Sequence, residues 1–177
     1  MVGASTVQAK ILVWAALAAI AGAFALAPKP AHARGDIVTM NGDFQPGTIV
    51  VRTGERHLYY VLRGGAAIRY PVGVGRAGKQ WSGASQISGK YIRPAWAPPP
   101  EIKRDKPSLP DLIAGGSRHN PMGVAAMTLA GTNYAIHGTN QPSSIGHFVS
   151  YGCIRMFNED VTDLFGRVSV GTPVVVQ

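Results

Sequence analysis

The sequence has a single cysteine, Cys153, and only 15% of its 177 residues are charged. One cysteine excludes an intramolecular disulfide, so this is not a small fold held together by disulfides. Low charge together with 46% apolar residues excludes a disordered chain and is enough for a hydrophobic core. Heptads and internal repeats are lacking too, and 22 glycines with 13 prolines disfavour long helices. The length allows one domain.

Acidic residues are scarce, with nine against 17 lysines and arginines. The only dense basic stretch, Lys103-Arg104-Asp105-Lys106, is nevertheless short and interrupted by an acid. That pattern is typical of a solvated loop and argues against a nucleic-acid surface. We expect the basic excess to favour an anionic polymer of the cell envelope.

The first 33 residues have the organisation of a secretory signal peptide. Lys10 precedes an uncharged run of 17 apolar residues at 11–27, and Ala31 and Ala33 supply the small residues of a cleavage site. We expect cleavage after Ala33 and export to the periplasm or cell envelope. Residues 34–177 would then form one domain, keeping 15 of the basic residues and all nine acids, a formal charge of +6. An uncleaved anchor is the alternative, since 17 residues is the lower limit of a membrane span.

Most of the remaining chain has strand patterns. β-branched and alternating apolar residues predict strands at residues 48–52, 57–62, 68–74, 124–129, 134–137 and 174–176. Pro71 cannot donate to a strand ladder, so we expect an edge or a bulge there. Asn158 resembles a helix N-cap, which predicts one short helix to about Phe165, ended by Gly166. The predicted fold is mostly β, a sandwich or barrel-like sheet with one short helix.

Residues 93–123 hold seven of the 13 prolines, with Trp96 among them. Regular structure is not expected in such a segment, and a long irregular stretch inside a compact domain is usually functional or mobile. We therefore expect a long loop over one face, acting as a substrate wall or lid with Trp96 as an apolar surface. A passive surface excursion is the alternative.

Cys153 and His137 are the residues best suited to covalent chemistry. A lone thiol in an exported protein is open to oxidation, which argues for a function, and a thiol nucleophile needs a base, usually an imidazole. His137 ends a predicted strand, and a loop rich in Gly, Pro and Ser leads to Cys153 sixteen residues later. Gly152 permits a tight turn, and the amides of Gly152 and Cys153 can supply an oxyanion hole. From the residues alone, a buried and inert Cys153 is the alternative.

Two motifs stand out in this segment, His137-Gly138-Thr139-Asn140 and Ser150-x-Gly152-Cys153-Ile154-Arg155-Met156. With the spacer Ser144-Ile145-Gly146, they resemble the catalytic domain of L,D-transpeptidases, the YkuD or ErfK/YbiS/YcfS/YnhG family. The similarity is strong over residues 124–177 and weaker at residues 60–62, 70–75 and 94–96. Nearly all of residues 34–177 therefore resembles one such domain.

The resemblance implies a β-rich fold and a cysteine acyltransferase of peptidoglycan stem peptides, with no metal or cofactor. By analogy, Cys153 attacks the carbonyl of the third residue, a diamino acid, in a donor tetrapeptide; D-Ala leaves and a thioester forms. An amine of a second stem then gives a 3→3 cross-link. A lysine of an envelope lipoprotein, a free D-amino acid, or water in an L,D-carboxypeptidase is the alternative acceptor. Carbapenems often inhibit the family by acylating the same thiol.

The resemblance also implies roles for single residues. His137 matches the general base, with its other ring nitrogen held by a backbone carbonyl near Gly138. Arg155 matches an arginine whose guanidinium suits a stem-peptide carboxylate. A structural ion pair of Arg155 with Asp160 or Asp163 is the alternative.

Three further residues are candidate substrate-binding positions: Ser150, Thr139 and Trp96. We expect the hydroxyls of Ser150 and Thr139 mainly to shape the backbone through local hydrogen bonds. Residues 79–84 do not match the Thr-Pro-Thr-Gly usual in the family, so no substrate contacts can be transferred there.

Tyr151 stands where many members have a histidine, which leaves no second imidazole at that position. His147 lies six residues before Cys153, and we expect it to be solvated or structural. Two alternatives come from other classes of protein. One is a zinc site from His119, His137, His147 and Cys153, whose spacings fit no metal motif. The other is a non-catalytic module that binds the cell wall, against which the intact histidine and cysteine argue.

Overall fold

The computed structural model describes residues 35–177, and the predicted signal peptide lies outside them. This part of the chain contains ten strands and two short helices. The strands are β1 (Asp36–Thr39), β2 (Ile49–Arg52), β3 (His57–Val61), β4 (Ala66–Gly75), β5 (Gly83–Ile92), β6 (Ala125–Leu129), β7 (Ala135–His137), β8 (Phe148–Ser150), β9 (Ile154–Met156) and β10 (Pro173–Val176); the helices are α1 (Pro100–Asp105) and α2 (Asn158–Arg167). Over these residues, neither helix has the length and hydropathy needed to cross a membrane.

The strands form one sheet that closes on itself. Neighbours follow the order β1-β4-β3-β2-β10-β5-β6-β7-β9, and β9 also pairs with β4. Most pairs are antiparallel, but β10 runs parallel to β2, β8 parallel to β4, and β7 parallel to β9. The predicted class, a mostly β and barrel-like sheet, is confirmed.

β4 is a central strand, yet at Pro71 it is unpaired on one side, so the expected edge exists locally. Pro71 lies opposite His57 of β3, and on that side the amide of Val72 donates to the carbonyl of Arg56. The nitrogen of Pro71 therefore faces the opposite neighbour. There β1 pairs only as far as Arg69, and β9 begins to pair at Val72. The missing amide falls in the gap between two partner strands, where no ladder bond is lost.

Two apolar clusters hold the sheet together. In β2, Ile49 and Val51 belong to the main core, whereas Val50 between them belongs to a smaller cluster on the other face. This follows from the two-residue period of a strand. Helix α2 adds Val161 and Leu164 to the main core, and this packing keeps it next to β6 and β7.

Four strands and one helix lie where the sequence patterns predicted none. Strands β1, β5, β8 and β9 either expose most of their residues or are only three residues long, so they lack a readable alternation. Helix α1 interrupts the proline-rich segment 93–123. Pro100 starts this helix at a position where a missing amide costs nothing.

Helix α2 forms where it was predicted, with two corrections. Its N-cap is Phe157, and the side chain of Asn158 makes no cap hydrogen bond. The helix also continues past Gly166 and ends at Arg167. An ion pair of Arg167 with Asp163, four residues earlier, supports this last turn.

Asp160 lies in the first turn of α2 and is buried, although its Oδ1 atom has no hydrogen-bond partner in the described chain. Burial is the main cause that raises the pKa of its carboxyl to about 6, and the charges of Glu159, Asp163 and Asp36 raise it further. Between about pH 4 and 6 the folded protein holds a proton that the unfolded chain releases. Stability contributed by this group is therefore lost as the pH rises through that window.

We expect Asp160→Asn to raise the free energy of unfolding at pH 7 by about 1–2 kcal/mol, with a much smaller gain at pH 4. The amide removes the buried charge while keeping the shape of the side chain. Urea unfolding at both pH values measures the effect, and Asp43→Asn, which changes an exposed aspartate that does not act on Asp160, is the control that should change little. Equal gains at pH 4 and pH 7 would contradict this account of Asp160.

Candidate active site

Two adjacent parallel strands carry the candidate catalytic residues. In the ladder between β7 and β9, Ile136 lies opposite Ile154 and His137 opposite Arg155, while Cys153 directly precedes β9. Side chains alternate along a strand, so His137, Arg155 and Cys153 point to one face. Ile136 and Ile154 point the other way, into the main core. The strand pairing thus brings the predicted thiol and imidazole together.

This face borders a cavity of about 840 Å³. Cys153, His137 and Arg155 form its floor, and Trp96 with residues 99–102 forms a wall from the proline-rich segment. Residues 131–134, after β6, also line it. The volume is in the range of ordinary ligand sites. The segment predicted to form a wall therefore does border the candidate site.

His137 is 4% exposed, and its Nδ1 atom lies 2.6 Å from the carbonyl oxygen of Gly138. Because a carbonyl can only accept, Nδ1 carries the proton and Nε2 of the neutral ring keeps a lone pair. Burial lowers the pKa of His137 to about 4, helped by the positive charge of Arg155 and opposed by the carbonyls of Gly138 and Pro121. At pH 7 the ring is neutral and able to accept a proton.

Cys153 is a free, partly buried thiol. Burial raises its pKa, whereas the backbone amide of Ala135 and the charge of Arg155 act in the opposite direction. The resting pair is thus a neutral thiol and a neutral imidazole. A thiolate forms when the proton passes to His137, as in other Cys–His pairs.

Arg155 has no ion-pair partner among residues 35–177, and its Nε atom is buried without a hydrogen bond. Asp163, one of the two carboxylates considered as its partner, pairs with Arg167 instead. The alternative considered for Arg155, a structural ion pair with Asp160 or Asp163, is therefore not formed among the described residues. A half-buried cation that lacks a counter-charge favours an anionic ligand.

The turn before Cys153 is built by Ser150 and Gly152. The buried Ser150 hydroxyl donates to the carbonyl of Cys153 at 2.6 Å and accepts from the amide of Gly152 at 3.1 Å. Gly152 has φ +125°, and a Cβ there would collide with the ring of Tyr134. These contacts confine the turn to glycine and hold the thiol in place.

The hydrogen bond between Gly152 and Ser150 corrects the expectation that the amides of both Gly152 and Cys153 form an oxyanion hole. The Gly152 amide, predicted as an oxyanion donor, is already bound to the Ser150 hydroxyl. The amide of Cys153 makes no hydrogen bond to the residues that the structure describes. Cys153 itself is therefore the backbone donor of this turn that remains open to a ligand.

Trp81 supports this turn from outside, which the sequence did not reveal. Its Nε1 atom donates to the carbonyl of Gly152 at 2.9 Å, and its ring stacks on Tyr134 with 5.4 Å between centroids. Trp81 belongs to the segment 79–84 that departs from the family pattern, so the resemblance assigned it no role. The only signal in the sequence that could have pointed to Trp81 is its large aromatic side chain within a segment of polar and small residues.

Thr139 does not line the cavity, so its proposed place in substrate binding has no support from the cavity and stays a prediction. Its hydroxyl accepts from the amide of Gln141 at 3.0 Å, which agrees with a backbone-shaping role. Asn158 holds the same segment: Oδ1 accepts from the amides of Thr139 at 3.0 Å and Val124 at 3.3 Å, and Nδ2 donates to the carbonyl of Thr139 at 3.0 Å. Asn158 thereby ties α2 to the chain that leaves His137.

The remaining predicted residues are spread over the surface. His119 and His147 are exposed, whereas Tyr151 lines the cavity. Between residues 35 and 177, no three His, Cys, Asp or Glu side chains form a group that could hold a metal ion. The structure therefore does not assemble the zinc set considered from the sequence.

We expect Asn158→Ala to lower the free energy of unfolding by about 2–3 kcal/mol, because two backbone amides and one carbonyl lose their partner. Asn140→Ala is a matched control, since its exposed amide makes a single contact of 3.4 Å with the carbonyl of Arg118. The control should lose less than about 0.5 kcal/mol. Urea unfolding compares the two variants, and equal losses would show that Asn158 does not anchor this segment.

Comparison with known proteins identifies the family to which this chain is similar. A family model described as the L,D-transpeptidase catalytic domain, YkuD, matches residues 46–176. The chain is 39% identical over 137 residues to "Probable L,D-transpeptidase ErfK/SrfK" and 38% identical over 135 residues to "Probable L,D-transpeptidase YbiS", both from Escherichia coli K12. These matches cover 72% and 71% of the chain but 43% of each relative. The chain thus spans less than half the length of these curated relatives.

Solved structures share the fold. The catalytic domain of an E. faecium L,D-transpeptidase acylated by ertapenem superimposes with a TM-score of 0.57 at 22% identity, covering 77% of this chain and all of that domain. An L,D-transpeptidase from Mycobacterium tuberculosis H37Rv gives a TM-score of 0.56 at 17% identity, covering 73% of this chain and 57% of the other. The similarity to these two structures extends to the fold alone. Because the family model matches most of the chain, residues 46–176, the chain belongs to the L,D-transpeptidase catalytic domain family.

Proposed function

We propose that this protein is an L,D-transpeptidase of the periplasm or cell envelope that acts on peptidoglycan stem tetrapeptides through a thioester on Cys153. The observation that carries the proposal is the placement of Cys153 beside a neutral His137 on one face of two parallel strands, open to a cavity. Family membership supplies the reaction class. A non-catalytic wall-binding module would need neither the thiol nor the imidazole.

Acylation begins when Nε2 of His137 takes the proton of the Cys153 thiol. The sulfur attacks the carbonyl of the third stem residue, a diamino acid, while the Cys153 amide stabilises the negative charge on the oxygen. The bond to D-Ala then breaks, and the imidazolium returns its proton to the leaving amine. The positive charge of Arg155 favours the thiolate throughout.

Deacylation determines the product. An amine of a second stem attacks the thioester, His137 accepts its proton, and a 3→3 cross-link forms with release of the thiol. A lysine of an envelope lipoprotein or a free D-amino acid enters by the same route. Water as acceptor makes the enzyme an L,D-carboxypeptidase, which is the second candidate function because it needs no group beyond those already present.

Arg155 is the proposed partner of a donor carboxylate. It lines the cavity opposite His137 and has no protein anion beside it within residues 35–177. A guanidinium binds a carboxylate through two parallel hydrogen bonds, which fixes orientation as well as charge. Trp96 would contribute an apolar surface from the opposing wall.

We expect Cys153→Ala to abolish both D-Ala release and thioester formation with a disaccharide-tetrapeptide, measured by mass spectrometry with and without an amine acceptor. His137→Gln should stay folded and lose about 10²- to 10⁴-fold in kcat, the usual contribution of a general base. His147→Gln, an exposed histidine outside the cavity, is the control and should keep the parent rate. D-Ala release by Cys153→Ala at the parent rate would exclude this mechanism.

For Arg155, we expect substitution by alanine to lower kcat/KM by about 10- to 150-fold, the equivalent of losing a contact of about 1.5–3 kcal/mol. Arg155→Lys should recover only part of this, because lysine keeps the charge but loses the planar fork. The decisive comparison uses a donor whose stem carboxylate is amidated. Such a donor should react poorly with the parent enzyme and lose little more with the variant. Equal losses for both donors would mean that Arg155 acts structurally.

A further inference from the structure

Helix α1 borders the cavity without an apolar anchor. Pro100, Glu101 and Ile102 line the cavity, yet none of the six residues of α1 is buried. A surface helix normally docks through an apolar stripe, and a helix this short is not stable alone. Its position therefore depends on the polar contacts at its surface.

Those contacts connect α1 to the loop of the nucleophile. The carboxylate of Asp105 accepts from the hydroxyl of Tyr151 at 2.6 Å and from the guanidinium of Arg76 at 3.0 Å. The guanidinium of Arg76 also lies over the Tyr151 ring, 4.0 Å from its centroid. Tyr151 is two residues before Cys153, so α1 is tied directly to the turn that presents the thiol.

A second ion pair holds the start of the helix. Glu101 pairs with Lys79, which lies, like Arg76, in the connection between β4 and β5. At 42% and 43% side-chain exposure, Arg76 and Asp105 are reached by solvent and salt. Such pairs are individually weak, whereas the hydroxyl–carboxylate bond of Tyr151 is charge-assisted and stronger. Together they form a contact that can open.

The base of the segment is attached independently of α1. Trp96 and Ile113 exchange two backbone hydrogen bonds of 2.9 and 2.8 Å, and the buried Asn120 side chain donates to the carbonyl of Pro94 at 2.9 Å. Residues 97–112 leave and return between these anchors. Lys103 binds Asp111 and the carbonyl of Leu109 within this span, so those contacts do not attach it to the sheet.

We propose that Asp105, Tyr151 and Arg76 are positioning residues that form a latch, and that this latch sets how open the cavity is beside Cys153. With the latch closed, α1 is a wall of the site; with it open, the span 97–112 swings on its base and admits a bulky glycan-linked stem peptide. Opening also frees Arg76 and Lys79 for an anionic polymer, which therefore binds the open form better. Only the identity of the substrate rests on the proposed function.

Alkylation of Cys153 tests the latch without any transpeptidase activity. Mass spectrometry follows labelling by iodoacetamide, which is small, and by a maleimide on a bulky dye. Asp105→Ala, Tyr151→Phe and Arg76→Met should each accelerate the bulky reagent about three- to tenfold and the small one much less. Arg104→Gln, which removes a charge from the same helix outside the latch, should change neither rate. Circular dichroism and urea midpoints establish that every variant is folded.

Salt and a double variant make the test sharper. Raising the ionic strength from about 0.05 to 0.5 M should accelerate bulky labelling of the parent but not of Asp105→Ala, because screening weakens only an intact latch. Asp105→Ala combined with Tyr151→Phe should be no faster than the faster single variant, since both break one contact. The latch proposal would be overturned if the variants accelerated the bulky and small reagents equally. It would also be overturned if Arg104→Gln accelerated bulky labelling as much as Asp105→Ala does.

Stem-peptide turnover then separates the two proposals. For a free tetrapeptide, Asp105→Ala should raise KM about three- to tenfold with little change in kcat, because a wall of the site is lost while the thiol and imidazole are untouched. A parent protein inactive on every stem peptide would defeat the proposed function and leave the alkylation result to decide the latch. A fall in kcat with constant KM would show that Tyr151 and Asp105 act on the chemistry and not on access.

Discussion

The parallel pairing of β7 with β9 is the constraint on which the site depends. It places Arg155 opposite His137 and brings Cys153 to the same face, sixteen residues along the chain. Strand β9 is held from its other side as well, since Arg155 lies opposite Gly73 of β4. A side chain at Gly73 would collide with the carbonyl of Ser144 in the loop between His137 and Cys153, the two candidate catalytic residues. The strand pairings that close the barrel therefore also fix the relative positions of His137, Cys153 and Arg155.

Burial gives this pair its electrostatic character. It lowers the pKa of His137 and raises that of Cys153, so both groups are uncharged before substrate arrives. In the proposed mechanism, charge appears only when the proton moves from Cys153 to His137; the charge of Arg155 would then stabilise the thiolate and oppose the imidazolium. The sheet leaves this one cation without a protein counter-charge in the described chain, which is costly unless a ligand supplies the anion. The candidate site thus lacks a negative charge that an anionic ligand would supply.

Local patterns predicted the parts of the fold that local physics determines. Apolar alternation located β2, β3, β4, β6, β7 and β10, and the motif around Cys153 identified the family. Strand β5 could not be found this way, because its ten residues are mostly exposed and owe their conformation to pairing with β6 and β10. Asn158 is a residue type typical of N-caps and lies at the start of α2, which is why the sequence predicts a cap there. Its side chain instead makes tertiary hydrogen bonds, to Thr139 19 residues away. The contact of Asp105 with Tyr151 spans 46 residues and leaves no periodic trace.

The proline-rich segment shows how a wall can be built without a core. Pro100 gives α1 its first turn, and Asn120, through carbonyls on both sides of the loop, closes the base. Neither the proline at the helix start nor the Asn120 hydrogen bonds bury apolar area, so the wall gains little of the hydrophobic stabilisation that holds the barrel. The wall is instead held in place by surface ion pairs and by the hydroxyl of Tyr151. Tyr151 therefore matters for more than the imidazole it replaces in the family pattern: a phenol can reach and bind a carboxylate on the facing wall, and this couples the loop of the nucleophile to the entrance of its own cavity.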